Sequence, residues 1–160
     1  MSGAARLIRA ALLCAAIAAL APIAAADPYE ADPDLATRDD DYAAGKKAVE
    51  KKEWAEAARL FTLAEKRHPD HADLQNILGF SRRNLKQYDA AFRHYKRAIE
   101  IDPRHRGAHE YIGEAYLLVG DVPSAEKHLA ALRSICLLPC DELKDLQRAI
   151  EAHRGQNNPR

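Results

Sequence analysis

The chain has 160 residues, 24 basic and 24 acidic, so its formal charge at neutral pH is zero, and 48% of it is hydrophobic. That balance leaves no basic footprint for nucleic acid or an anionic membrane surface, so neither is expected as a partner. The length fits one domain.

The first 26 residues read as a targeting segment. Arg6 and Arg9 give a positive start, Ala10–Leu20 is an apolar run, and Ala24, Ala25 and Ala26 form a small-residue cleavage signal before Asp27. This order is that of a secretory signal peptide cut after Ala26. A retained membrane anchor is the rival reading, but the run is shorter than the roughly 20 residues a spanning helix needs. Pro22 also breaks its end. A lipoprotein site at Cys14 would need a small residue before it, where Leu13 stands. The alanine-rich signal resembles bacterial ones, so the mature chain is expected in the periplasm and not inserted in a membrane. Processing leaves 134 residues, a formal charge of −2, and two cysteines, Cys136 and Cys140.

Residues 27–37 carry two prolines, four acids and little to bury, which predicts a disordered lead-in. Thr37 is placed to cap the first helix, with Asp39–Asp41 favouring its positive end. That helix, near Asp39–Lys51, presents Ala43, Ala44, Ala48 and Val49; after a turn at Lys52–Glu53, a second carries Trp54, Ala57, Ala58, Phe61 and Ala64 and stops before Pro69. The next pair is marked by Leu74, Ile77, Leu78 and Leu85, then by Tyr88, Ala91, Phe92, Tyr95, Ala98 and Ile99, ending at Asp102–Pro103. A third has Ala108, Ile112, Gly113, Ala115 and Tyr116, a turn at Gly120–Asp121, then Val122, Ala125, Leu129 and Leu132. Pro123 falls in the first turn of that last helix, where a missing amide matters little. Leu143, Leu146 and Ile150 make a narrow stripe on a closing helix over 141–153, and residues 154–160 read as a loose tail.

The three pairs are copies of one pattern. Gly45, Gly79 and Gly113 are 34 residues apart, as are Ala57, Ala91 and Ala125; Trp54, Tyr88 and Val122; and Phe61, Tyr95 and Leu129. A helix–turn–helix unit with this period resembles the tetratricopeptide repeat. The resemblance covers units of about 38–71, 72–105 and 106–137, and implies an all-α solenoid of three repeats plus the C-terminal capping helix. The sequence departs from the family pattern at Asp41, Ala48, Arg82, Leu132 and Leu137.

The resemblance also implies that the first helix of each repeat lines a concave face holding a partner peptide or helix. The residues it places there are Tyr42 and Lys46, then Asn76, Phe80, Arg83 and Asn84, then Glu110, Glu114 and Leu117. Asp39, Val49 and Leu118 fall at similar positions. Phe80, among amides and a guanidinium, is either a docking spot or packed on Tyr42 or Ile77. Glu110 and Glu114 oppose Lys46 and Arg83, a gradient that could orient a peptide or be ordinary solvated charge. Self-association through Tyr42, Val49 and Trp54 is a further partner reading.

Cys136 and Cys140 are four residues apart at a helix junction, and in an oxidising compartment a bridge is the first expectation. The alternative function is thiol-redox or copper handling by the same pair, with His153 as a further ligand. His105 and His109 have metal-ligand spacing, but His71 and His105, like His94 and His128, recur one repeat apart, which reads as a tolerated surface position. His109–Glu110 opens a zinc-protease motif that fails at Gly113. No nucleotide or hydrolase motif is present, and no enzyme activity, cofactor or metal is expected.

Overall fold

The computed structural model describes residues 35–157; the segment read as a signal peptide and residues 27–34 lie outside them. Among the described residues every regular element is a helix: α1 (Leu35–Arg38), α2 (Asp40–Glu50), α3 (Trp54–Glu65), α4 (Ala72–Asn84), α5 (Tyr88–Ile101), α6 (Arg106–Leu118), α7 (Val122–Ile135) and α8 (Asp141–Asn157). Three antiparallel hairpins, α2–α3, α4–α5 and α6–α7, stack in order, and α8 lies along α6 and α7. No described helix is long and apolar enough to cross a membrane.

Two terminal expectations need correction. The end of the lead-in is ordered, because Leu35 is buried with Tyr42, Phe61 and Leu74 and the chain makes a helical turn around it. Asp39 caps α2: its backbone is extended and its carboxylate accepts from the Tyr42 amide at 2.9 Å; the Thr37 side chain, expected to cap this helix, lies outside the described residues. At the other end α8 runs through 154–157, where a loose tail was expected. Arg154 pairs there with Glu126 on α7.

The turn inside each hairpin uses the same device. Lys52, Lys86 and Gly120 have φ of 60°, 59° and 81° and are one repeat apart. A left-handed residue lets the chain leave the first helix and return. Only the third turn supplies a glycine for it.

The glycine seam explains why the hairpins close tightly. A Cβ built on Gly45 would lie 2.5 Å from the Phe61 ring, and one on Gly79 would lie 2.7 Å from Tyr95. In both repeats the aromatic ring of the second helix occupies the space of the missing methyl. Repeat three has Leu129 at the aromatic position and differs: its Gly113 is met by Leu146 of α8, at 2.6 Å. Leu146 therefore completes a core that the repeat's own side chains leave short, packing with Leu117, Leu132 and Ile150.

The histidines recur for a structural reason and are not tolerated surface residues. His71 and His105 cap α4 and α6, their Nδ1 atoms accepting from Leu74 N and Ala108 N at 3.3 and 3.2 Å. His105 Nε2 also lies 3.0 Å from Asp73, which ties the start of α6 to α4. Gln75 donates to the Pro69 carbonyl and meets His94, at 3.1 and 2.8 Å. One repeat on, His109 donates to the Pro103 carbonyl and meets His128, at 3.1 and 3.0 Å. Since His109 donates from Nε2, its Nδ1 accepts and His128 must donate, so neutral rings fit this circuit. Burial lowers both rings' pKa, that of His128 to about 4.

Candidate functional site

The residues of α4 and α6 meet on the face shared by the first helices. Phe80 stands at the centre, with the Trp54 ring edge-on at 5.6 Å and the Tyr111 ring tilted at 5.1 Å. The Arg83 guanidinium covers both, 5.2 Å from the Phe80 centroid and 5.3 Å from that of Tyr111. It also donates to Glu114 at 2.5 Å and to the Tyr111 carbonyl at 3.4 Å. Ring faces, carboxylate and carbonyl thus hold one guanidinium in place, and a preformed surface of this kind has little ordering left to do on binding.

Glu110 lies one turn before Glu114 on α6. Burial is the main reason its carboxyl is pushed up to about 7, and the charges of Glu114, Asp145 and Glu142 add to it. Next to this region a cleft of about 490 Å³ opens between α4, α6 and α8. Its walls include Arg83 and Asn84, Glu114 and Leu118, and Ala149 and Ala152. Leu118 is 58% exposed, so the cleft has an apolar rim. A larger depression of about 740 Å³ lies at the turns, where Arg82 is already bonded to Gln87 and Thr62. The smaller cleft, next to the ordered cation and the aromatic cluster, is the candidate site.

Two sequence models of the tetratricopeptide repeat match the chain, one over residues 42–105 and one over 85–135. The chain belongs to the tetratricopeptide repeat family. It is built as a protein–protein interaction module. Comparison with curated protein sequences gives no match. Solved structures share the tetratricopeptide fold at low identity. The TPR2B domain of yeast Sti1, in a complex with pHsp70, superposes with a TM-score of 0.68 at 22% identity, covering 76% of this chain and 98% of that one. The Yersinia enterocolitica type III secretion translocator chaperone SycD gives 0.66 at 18% identity, covering 81% and 98%. PcrH in complex with the chaperone-binding region of PopD gives 0.65 at 22%, covering 76% and 94%.

The tetratricopeptide framework brings together only some of the residues expected on the groove. Phe80, Arg83, Glu110 and Glu114 converge as described. Phe80 is half-buried rather than openly exposed, and its ring meets those of Trp54 and Tyr111. Tyr42 is a correction: it is buried, tilted against Phe61 at 5.6 Å, because that ring offers an apolar surface beside Gly45. Asp39 is buried as a cap paired with Arg67. Leu117 belongs mainly to the core under α8 and reaches the cleft by one edge. Asn84 is exposed and donates to the Phe80 carbonyl, and Lys46 is exposed on α2. Asn76 is nearly buried. The expected charge gradient is partly cancelled, since Arg83 and Glu114 satisfy each other.

Trp54 and Tyr111 were missed as site residues. A turn aromatic and an unassigned helix position give no linear sign that they will meet Phe80 across three repeats. The surface proposed for self-association is largely covered, because Tyr42 is buried, Val49 packs on the core and Trp54 is against Phe80. The sulfurs of Cys136 and Cys140 lie at bonding distance, with Cα atoms 6.0 Å apart. His153 is 13 positions further on, near the other end of α8, roughly 20 Å away along the helix, so the structure does not assemble a site from that trio.

Proposed function

We propose that this protein is a non-catalytic interaction module of the bacterial periplasm, and that the cleft between α4, α6 and α8 holds a segment of a partner protein. The observation that carries the reading is the fixed Arg83, held by two aromatic faces and Glu114 beside the exposed Leu118. An apolar rim next to an ordered cation is the composition of an interface centre. The printed descriptions of similar folds, the Sti1 domain with pHsp70 and PcrH with a region of PopD, support a protein segment as occupant.

The test is co-purification from the periplasm of the native host, with mass-spectrometric quantification of what is recovered. Arg83→Glu and Leu118→Asp are expected to reduce the wild-type partner at least about tenfold, the loss of one central contact. Equal recovery by all three proteins rejects the cleft as the binding surface.

The location rests on the signal-like start, and there we place Cys136 and Cys140 as an oxidised pair joining α7 to α8. The bridge closes a small loop, so its contribution falls at the low end of about 2–4 kcal/mol. Intact mass of the exported chain is expected to begin at Asp27 and to rise by the mass of two hydrogens on reduction. An unprocessed chain overturns the location, and two thiols that alkylate without reductant overturn the bridge.

A further inference from the structure

The candidate cleft does not end at α4. Lys86 and Tyr88, at the turn between α4 and α5, line both the cleft and the depression of about 740 Å³ beside it. Leu118 belongs to the cleft and Val119 to the depression. The two are consecutive and 58% and 48% exposed, so an apolar edge runs from one to the other. A segment lying in the cleft meets the depression next.

Its charge sets the depression apart. Arg82, Lys86 and Arg93 line it with a single acid, Asp89. Among the described residues none of these three cations has a carboxylate at ion-pair distance, whereas their neighbours Arg83 and Arg97 do. The repeat shows what has been removed. At the equivalent positions of repeat one, Lys52 and Arg59 stand with Glu53 and Glu56, and Arg59 donates to Glu56 at 2.9 and 2.7 Å. In repeat two Gln87 replaces Glu53, Ala90 replaces Glu56, and Arg82 replaces Ala48. Repeat three is balanced again, with Lys127 against Asp121.

The cations are both placed and reachable. Gln87 and the Thr62 hydroxyl orient Arg82, at 2.9 and 3.3 Å, but they are neutral and leave its charge uncompensated. Burial, opposed by Glu65, lowers the pKa of His94 on the same wall, and the charges of Arg82 and Arg93 lower it further, so both cations act on one spot. Lys86 and Arg93 are exposed to an incoming group. A carboxylate meets a guanidinium through a two-bond fork and a lysine as a point charge.

We propose that the depression is a second subsite of the groove, taking acidic side chains of the partner segment while apolar residues of the same segment lie on Leu118. This rests on the groove reading above and gives its occupant a composition: an apolar stretch followed, across the α4–α5 turn, by an acidic one. A basic stretch is disfavoured, because it would meet three uncompensated cations.

The test uses the nitrogen-15-labelled mature chain and NMR titration at constant ionic strength. The probes are a capped peptide of two leucines, two glycines and three glutamates, the same peptide with glutamines for the glutamates, and sodium phosphate. The glutamate peptide is expected to give saturable shifts at the side-chain N–H signals of Arg82 and Arg93, and to bind about tenfold more tightly than the glutamine peptide. Lys86→Glu combined with Arg93→Glu should remove that advantage, since exposed ion pairs are worth about severalfold each. Lys47→Glu combined with Lys66→Glu makes the same change of net charge at exposed cations outside the depression, and should leave the advantage intact. Equal affinity for the two peptides, no saturable binding, equal loss in the two double variants, or a response to phosphate matching that to the glutamate peptide overturns the subsite. Leu118→Asp separates it from the groove. If that change weakens both peptides while Lys86→Glu with Arg93→Glu affects neither, the groove stands and the subsite falls. Charge dependence with no effect of Leu118→Asp removes the cleft and leaves the acidic-segment site in the depression.

Discussion

Replacing Gly79 with valine is expected to lower the thermal midpoint by on the order of 10–20 °C. A Cβ at Gly79 would stand 2.7 and 2.8 Å from two carbons of the Tyr95 ring and 3.2 Å from the Ala91 carbonyl. The ring is fully buried and the carbonyl belongs to the α5 backbone, so neither can retreat without moving the hairpin. Alanine would recover about 1 kcal/mol of helix propensity against an overpacking penalty of about 1–3 kcal/mol, for a modest net loss. Valine adds two branched carbons with one favoured rotamer, taking the loss to roughly 3–5 kcal/mol. Gly155, in α8, has nothing within 4 Å of a built Cβ. Its alanine variant should be unchanged or up to about 1 kcal/mol more stable. Thermal unfolding by far-ultraviolet circular dichroism compares the three. A Gly79→Val protein melting with the wild type would mean the hairpins do not close on this seam.

That seam was legible because it is local and periodic. Gly45, Gly79 and Gly113 repeat with the chain's own spacing, and their large partners Phe61 and Tyr95 repeat with them. What was not legible depends on exceptions to the period. Leu129 replaces an aromatic, and only the three-dimensional gap it leaves shows why Leu146 turns toward Gly113. The histidines illustrate the opposite failure. Their recurrence was plain, but a cap and a cross-helix hydrogen bond are invisible until His105 is seen against Ala108 and His109 against His128. The groove was half legible for a similar reason. Helical geometry puts Phe80, Arg83, Glu110 and Glu114 on one face, whereas the Trp54 and Tyr111 contacts join residues 26 and 31 positions from Phe80, across separate repeats. Tyr42 occupies an equivalent place and is buried, because what covers a groove position depends on the size of its neighbour and not on its repeat number.

The concave face and the closing helix are therefore one unit. Leu146 holds α8 against α6 by filling the Gly113 gap, and the same helix brings Ala149 and Ala152 to the cleft wall and Glu142 and Asp145 toward Glu110. In the other two repeats an aromatic fills the seam from within. In repeat three the substitution of Leu129 makes the array depend on α8, and α8 in turn completes the surface on which the partner segment is proposed to lie.

Asp39→Ala should destabilise the first repeat by about 2–3 kcal/mol. The carboxylate is buried, accepts from the Tyr42 amide at 2.9 Å, and takes two bonds from Arg67 at 2.8 Å. Removing it loses a helix cap, worth about 1 kcal/mol, together with a charge-assisted pair. Arg67 remains 48% exposed and can turn to water, which keeps the loss below that of a wholly buried pair. Asp39→Asn keeps the amide oxygen for Tyr42 but loses the charge, and should fall between alanine and wild type. The pH dependence gives a separate check. The Arg67 hydrogen bonds hold the Asp39 carboxyl well below its ordinary 3.8, so its contribution is complete above that value and is lost as pH falls through the lower, folded-state pKa. His128, lowered from 6.5 to about 4 by burial, contributes in full above pH 6.5 and loses its share on the way down to 4. Glu110, raised from 4.5 to about 7, acts in the opposite sense: its contribution is present below 4.5 and fades as pH rises through 7. Denaturant unfolding across this range should show Asp39→Asn parallel to wild type above pH 4 and flatter below it. A variant whose acid limb keeps the wild-type slope would place that limb on other carboxylates and remove the buried pair as the lock on the first helix.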